Sequence, residues 1–333
     1  MTSAPGALPT AGGHELFWLA PQVAGLRQAA AQGRLPHALL IQDVPGGGGA
    51  ALALFAAQTR VCTRAVAPCG QCADCRRMAA RAHPDLWQVG PEEDSRQIKV
   101  DQVRALTAML ALTAHGAGGT VAILDPAEAL NASAANALLK TLEEPRPGVL
   151  IVLLTGAAAR LPATVRSRCQ RLNVQPPRRA DCVAWLQRCR GAGQWEAVLE
   201  LLGNAPLQAL EQDPQALLRV RDETHAQLDR AVAGTLEIAP TAERWLRDAF
   251  DLRMLCAENW VTRRVDAQLR DAAGLTELHT AAHLPRANSS MNIRGLIRFA
   301  DALHELRRLA TTTINKALAV EQLLWQLRAV RPV

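Results

Sequence analysis

No apolar run of about 18 residues interrupts this 333-residue chain, which leaves no candidate for a membrane-crossing helix. Its beginning also lacks a basic stretch followed by an apolar block and a small-residue cleavage site, so a cytoplasmic protein is expected. The eight cysteines of such a chain are not expected to pair as disulfides, because thiols are kept reduced there; metal binding or burial has to account for them. Lysine is scarce as well. Of 37 basic residues only Lys99, Lys140 and Lys316 are lysines, which together with the many alanines suggests the coding bias of a GC-rich genome rather than an arginine-built site. The net charge of +6 and a pI near 9.1 suit an anionic partner such as DNA, but an excess of this size is common on solvated surfaces.

The apolar residues that are present, 49% of the chain, are enough for a buried core. Ala38 to Gln42 is a short apolar run that stops at Pro45 and four glycines, and Ala50 to Cys62 carries apolar residues at helical spacing. The unit is strand, glycine loop, helix. Val121 to Leu124 and Val149 to Leu154 are further strands bracketing a helix from about Asn131 to Glu144, closed by Pro145. Leu86 to Val89 and Gln170 to Val174 complete the strands, and Val100 to Thr113 reads as another helix. Strands alternating with helices predict a parallel sheet covered on both faces, an α/β domain over residues 1–175. Pro176-Pro177 marks its end, since neither residue continues a helix or donates to a ladder. Beyond it only helical patterns remain, over 179–190, 195–202, 206–233, 241–264, 293–313 and 316–329. A short helical segment, 176–211, then gives way to an all-α region, 212–333.

Cys62, Cys69, Cys72 and Cys75 are spaced C-x6-C-x2-C-x2-C. Zinc prefers four thiolates at tetrahedral corners, and a two-residue gap lets a tight turn present two sulfurs to one ion. An iron–sulfur cluster fits less well, because Ala79 stands where the ferredoxin run needs a further Cys-Pro. Four cysteines leave no open coordination position, so the expected metal is a structural zinc, and 62–75 is its module. Cys169, Cys182, Cys189 and Cys256 read as buried or ordinary thiols.

Pro45-Gly46-Gly47-Gly48-Gly49-Ala50 has the setting of a phosphate-binding loop without its chemistry. In a working loop, glycine amides cradle phosphates, a lysine meets the β/γ-phosphates and the next hydroxyl binds magnesium. Here the lysine position is Gly49 and the hydroxyl position is Ala50. Asp125 follows a strand, where a magnesium-holding acid would stand, but Pro126 replaces a second acid, and Asp125 could equally cap the next helix. No bound ATP is expected, and transition-state charge on a γ-phosphoryl would find little to stabilise it.

Leu35-Pro36-His37-Ala38-Leu39-Leu40, the glycine loop, the cysteine cluster, Asn136 to Pro145 (NALLKTLEEP) and Ser167-Arg168-Cys169 resemble, in order and spacing over residues 15–175, the clamp-loader subunits of the AAA+ family. Asn315 to Leu327 resembles the end of that family's C-terminal helical domain. The resemblance implies an ATPase-like fold, a helical lid over 176–211 and a helical collar domain over 212–333. Loss of the lysine and hydroxyl favours the loader subunit class that does not hydrolyse ATP over gamma/tau. Such a subunit would work with gamma/tau and delta, reach the sliding clamp and primer-template DNA through the complex, and supply Arg168 as an arginine finger to a neighbouring ATPase. Two rivals stand beside it: an active ATPase with an atypical loop, and a zinc-dependent DNA-binding module. Against the second, no aromatic residue lies between Cys62 and Cys75 to stack bases.

Overall fold

The computed structural model describes residues 8–93, 95–272, 293–309 and 315–330. The chain divides into two compact units, Met1–Gly193 with Asn204–Glu211, and Gln194–Gly203 with Gln212–Val333.

The first unit opens with a two-residue hairpin, β1 (Thr10–Ala11) and β2 (His14–Glu15), and helix α1 (Ala20–Ala31). There follow β3 (Ala38–Gln42), α2 (Gly49–Val61), α3 (Ala73–Ala79), β4 (Leu86–Val89), α4 (Val100–Leu110), β5 (Thr120–Leu124), α5 (Ala132–Glu143), β6 (Val149–Thr155), α6 (Ala163–Arg166) and β7 (Gln170–Asn173). The five strands β3 to β7 form one sheet in the order β4-β5-β6-β3-β7, and every pairing is parallel. Period-two alternation decides which helix each side chain meets. Leu40, Ala122, Leu124, Ile151 and Leu153 pack with Val103 and Leu106 of α4 and Leu138 and Leu142 of α5. The alternate residues face away from that cluster, and α2 packs against β3, β5 and β6. A strand covered on both faces has no polar side, which is why every residue of β5 and β6 is buried.

Helix α5 starts where Asn131 Oδ1 accepts from the Ala134 amide at 2.8 Å. Asp125 does not cap it; the 3₁₀ turn Ala127–Ala129 lies between them. The helices α7 (Arg179–Arg190), α8 (Trp195–Leu201) and α9 (Pro206–Glu211) follow. Helices α7 and α9 belong to the first unit and α8 to the second, so the stretch 176–211 contributes to both.

The second unit continues with α10 (Pro214–Val232), α11 (Ile238–Arg247), α12 (Phe250–Ala272), α13 (Ile293–Leu309) and α14 (Lys316–Arg328). The helical patterns over 206–233 and 241–264 are each broken in two. Asp213 caps α10 by accepting from the Gln215 amide at 2.9 Å, and Pro214 takes the first position, where its missing N–H costs nothing. Between α11 and α12, Ala249 turns left-handed at φ 54°, which ends one helix before the next begins. The end of the expected helix 293–313 beyond Leu309 lies outside the described residues. Leu323, Leu324 and Leu327 pack into this unit's own core with Trp245, Trp260 and Phe299, while Leu318 is exposed.

One arginine in this core had no sequence signal. Arg253 is fully buried; its Nη2 meets Asp248 Oδ2 at 2.6 Å and Glu223 Oε2 at 3.1 Å, and its Nη1 donates to Thr224 Oγ1 at 3.2 Å. It joins α10, the α11–α12 turn and α12 through charge-assisted bonds. Breaking a buried pair from one side costs about 3–5 kcal/mol where both partners are dry; with both carboxylates reaching water, the lower part of that range is expected for Arg253→Ala. Chemical denaturation should show this as a lower midpoint, whereas a change within about 0.5 kcal/mol would mean the node contributes nothing net.

Candidate functional site

Helix α2 delivers the first cysteine. It ends at Val61, and Cys62 leaves in extended conformation. After a loop, Cys69 Sγ accepts from the Cys72 amide and Cys72 Sγ accepts from the Cys75 amide, each at 3.3 Å. The second of these bonds caps α3, so the same sulfur that starts the helix also faces the cluster. All four sulfurs lie within 4.8 Å of one another, and Cys69 and Cys75 are 3.9 Å apart. Metal–sulfur bonds of about 2.3 Å at tetrahedral corners put sulfurs roughly 3.8 Å apart. The donor set therefore fits one ion with little movement.

The thiols do not share one environment. Burial pushes Cys75 and Cys62 up. Burial acts in the same direction on Cys69, but amide bonds from Gln71 and Cys72 and neighbouring thiols outweigh it and bring that group down to about 6. Next to the cluster, buried His83 Nδ1 accepts from the Asp85 amide at 3.1 Å, which leaves Nε2 facing Asp74 Oδ1 at 3.5 Å. The module is thus tied through α3 to the start of β4. The other four cysteines are ordinary: Cys169 and Cys182 are pushed up to about 11 by burial and Cys256 to about 12, and Cys189 is raised less.

The glycine loop lies at the opposite end of α2. Gly48 caps that helix at φ 111°, a conformation open to glycine. Trp18 Nε1 donates to Gly47 O at 2.6 Å, and the Leu207 amide donates to Gly46 O at 3.0 Å. The loop is held from two sides. Its amides do not face open space, because Asp43 Oδ2 accepts from Gly49 N at 2.6 Å. A Cβ on Gly47 would stand 2.1 Å from Asp43 Oδ1, so the carboxylate lies against the loop. Burial raises Asp43 to about 6, against amides of Gly49, Val44 and Gly48 that favour its charge. The group is therefore mostly ionised at neutral pH.

Asp125 directly follows β5, and its amide donates to Val89 O at 3.0 Å. It borders a cavity of about 220 Å³ lined also by Ala50, Leu54, Arg81, Gln88 and Gly90. Burial raises its pKa, and Glu128 adds to the rise. Neither Gly49 nor Ala50 puts a cation or a hydroxyl beside this acid.

Arg168 sits elsewhere. It follows α6 and precedes β7, whose Gln170 pairs with Leu39 of β3. Because all five strands run parallel, Arg168 stands at their N-terminal edge and the glycine loop at their C-terminal edge. The five residues of β3 separate the two by roughly 16 Å at about 3.3 Å per residue. Arg168 Nη2 meets Glu143 Oε1 at 2.5 Å, and Nη1 donates to Thr164 O at 2.9 Å. Thr164 lies on the preceding helix α6 and Glu143 at the end of α5, and a third of the side chain remains in solvent.

The chain as a whole resembles known proteins. The family model described as DNA polymerase III, delta subunit, fits residues 19–178. A Pseudomonas aeruginosa protein named DNA polymerase III subunit delta' is 37% identical over 214 residues, covering 63% of this chain and 65% of that protein. This chain is a homologue of the DNA polymerase III delta' subunits. Two further delta' subunits, from Haemophilus influenzae and Escherichia coli, are each 39% identical, over 197 and 173 residues. The matches span 65%, 60% and 52% of the lengths of these three delta' relatives. Among solved structures, a DNA polymerase III gamma subunit-related protein from Thermotoga maritima superposes with a TM-score of 0.52 at 17% identity, over 93% of this chain and 99% of that one. That likeness carries the fold.

Of the residues singled out from sequence, the four cysteines come together, Gly46 to Gly48 lead into α2, whose first residues are Gly49 and Ala50, Ala50 and Asp125 border one cavity, and Arg168 lies apart from both. Asp43 was missed, although a signal for it exists. The pattern G-x4-G-K-[ST], laid with its lysine on Gly49, puts its first glycine at position 43.

Proposed function

We propose that this chain is the delta' subunit of a clamp loader, a stator that helps place a sliding clamp on primed DNA without hydrolysing ATP itself. In this reading residues 1–175 are the ATPase-like domain, 176–211 the lid and 212–333 the collar. Gamma/tau and delta are the direct partners, and the clamp and primer-template DNA are met through the complex. The four-cysteine module holds a structural zinc, which would fix a segment too small to build a core. The observation that carries the reading is the separation of roles across the sheet. The chain's own loop offers no lysine at 49 and no hydroxyl at 50, while Arg168 stands at the far edge, out of reach of that loop and open to a neighbour. A retained arginine beside a disabled loop suits a subunit that acts on a partner's phosphate.

Reconstitution tests it. The full-length chain, mixed with gamma/tau and delta of the same source, should co-elute with them on size exclusion as one complex. Alone it should turn over ATP no faster than buffer. Failure to enter the complex would sink the loader assignment, and ATP hydrolysis by the isolated chain at the rate of a loader ATPase would sink the stator assignment.

A further inference from the structure

We propose that the Asp43 side chain is a built-in ligand of the glycine loop, filling the phosphate cradle and closing it to nucleoside triphosphates. The missing lysine and hydroxyl explain lost catalysis; they do not by themselves empty the loop of affinity. Backbone amides at a helix N-terminus attract anions without any side chain. Three successive glycines, Gly46 to Gly48, preceding a helix of 13 residues that itself starts on Gly49 would keep that capacity.

The geometry shows where the capacity goes. Gly49 N, the amide at the motif's lysine position, is taken by Asp43 Oδ2 at 2.6 Å. Asp43 Oδ1 is buried against Gly47 and makes no hydrogen bond of its own, although the Val44 and Gly48 amides are close enough to favour the charge. A carboxylate in such a place acts as a small internal anion. It stands at the position where the phosphate-loop pattern has its first glycine, a residue with no side chain to enter the loop. The loop cannot swing aside to make room, since Trp18 and the Leu207 amide hold Gly47 and Gly46.

The same packing fixes residue 49. A Cβ there would stand 2.7 Å from Asp43 Cβ, from Asp43 Oδ2 and from Leu154 Cδ1. A lysine restored at 49 would therefore collide with the carboxylate before it met a phosphate. Asp125 and Glu128 place acids on the same side of the sheet, and Arg81 offsets part of their charge, so the carboxylate of Asp43 rather than the surrounding field closes the cradle. This inference does not rest on the loader assignment. The chain could fail to hydrolyse ATP whether or not Asp43 fills the loop.

Inorganic tripolyphosphate is the direct probe, because it tests the cradle without a base or sugar. By calorimetry the wild-type chain should show no binding at millimolar concentration, and Gly49→Lys alone should show none either. Asp43→Ala and Asp43→Gly, with zinc content and melting cooperativity retained, should bind at least tenfold more tightly than wild type. Asp43→Asn keeps the shape and an acceptor for Gly49 N, so its gain should stay under threefold. Equal binding by wild type and Asp43→Ala would overturn the proposal, as would a full gain in Asp43→Asn, which would assign the effect to charge alone. If the alanine and glycine variants do not fold, the wild-type Gly49 amide resonance decides: no shift with tripolyphosphate supports the internal ligand, and a saturable shift refutes it.

Discussion

Prepared without added metal, the chain should carry about one zinc per molecule, and Cys75→Ser should lower that content to less than a tenth. The expectation follows from the donor set rather than from the spacing alone. Four sulfurs already sit within 4.8 Å of one another, and two of them are held in place by backbone amides before any ion arrives. Burial by itself disfavours the thiolate form of Cys62 and Cys75, and a divalent cation bound by the four sulfurs would favour it instead. Structural zinc in small modules contributes about 10–16 kcal/mol of apparent binding energy near pH 7, so losing one ligand should melt the module locally. The sheet should survive, because β5 and β6 are packed between α2 and the α4–α5 pair and do not depend on the loop. Trypsin reads the difference. Arg64, Arg76 and Arg77 should become cleavable in Cys75→Ser while the far-UV spectrum of the remaining chain changes little. A metal-free wild-type protein that resists trypsin at these arginines would remove the zinc from the account.

What could be read in the sequence is what local rules encode. Continuous apolar runs bounded by turn residues located β3, β5 and β6, and the C-x6-C-x2-C-x2-C spacing located the cysteine cluster. Helix breaks were less legible. Pro214 stands inside an otherwise continuous apolar pattern, and Ala249 carries no mark of its left-handed turn. The features that escaped altogether depend on contacts far apart in the chain. Arg253 is one arginine among many until Glu223, 30 residues away, folds against it. Helix α8 has an apolar face that periodicity detects, but periodicity does not say which unit covers it. Asp43 differs from these, since a motif template laid on the chain would have found it.

The largest effect on function is expected at Arg168. A guanidinium placed against a neighbour's γ-phosphoryl stabilises charge that grows only in the transition state, and such fingers are worth about 10³ to 10⁵ in rate. The bland alternative is a surface ion pair with Glu143, worth about 0–1 kcal/mol and of no consequence for chemistry. The two readings make opposite predictions. That pair is exposed enough to be given up at small cost, and the bond from Nη1 to the Thr164 carbonyl is given up with it when the guanidinium reaches outward. In a loader reconstituted with wild-type partners, Arg168→Ala should leave zinc content, melting and complex assembly unchanged. At the ATPase site it serves, it should slow hydrolysis by about 10³-fold or more, and clamp loading should fall with it. Arg168→Lys should recover little, because a point charge does not reproduce the planar fork that holds two phosphate oxygens. Glu143→Ala separates the cases further. It removes the ion pair but keeps the guanidinium, so it should lower activity far less than Arg168→Ala. Full activity in Arg168→Ala, or equal losses in the two alanine variants, would assign Arg168 to the surface of the sheet and not to catalysis in a partner.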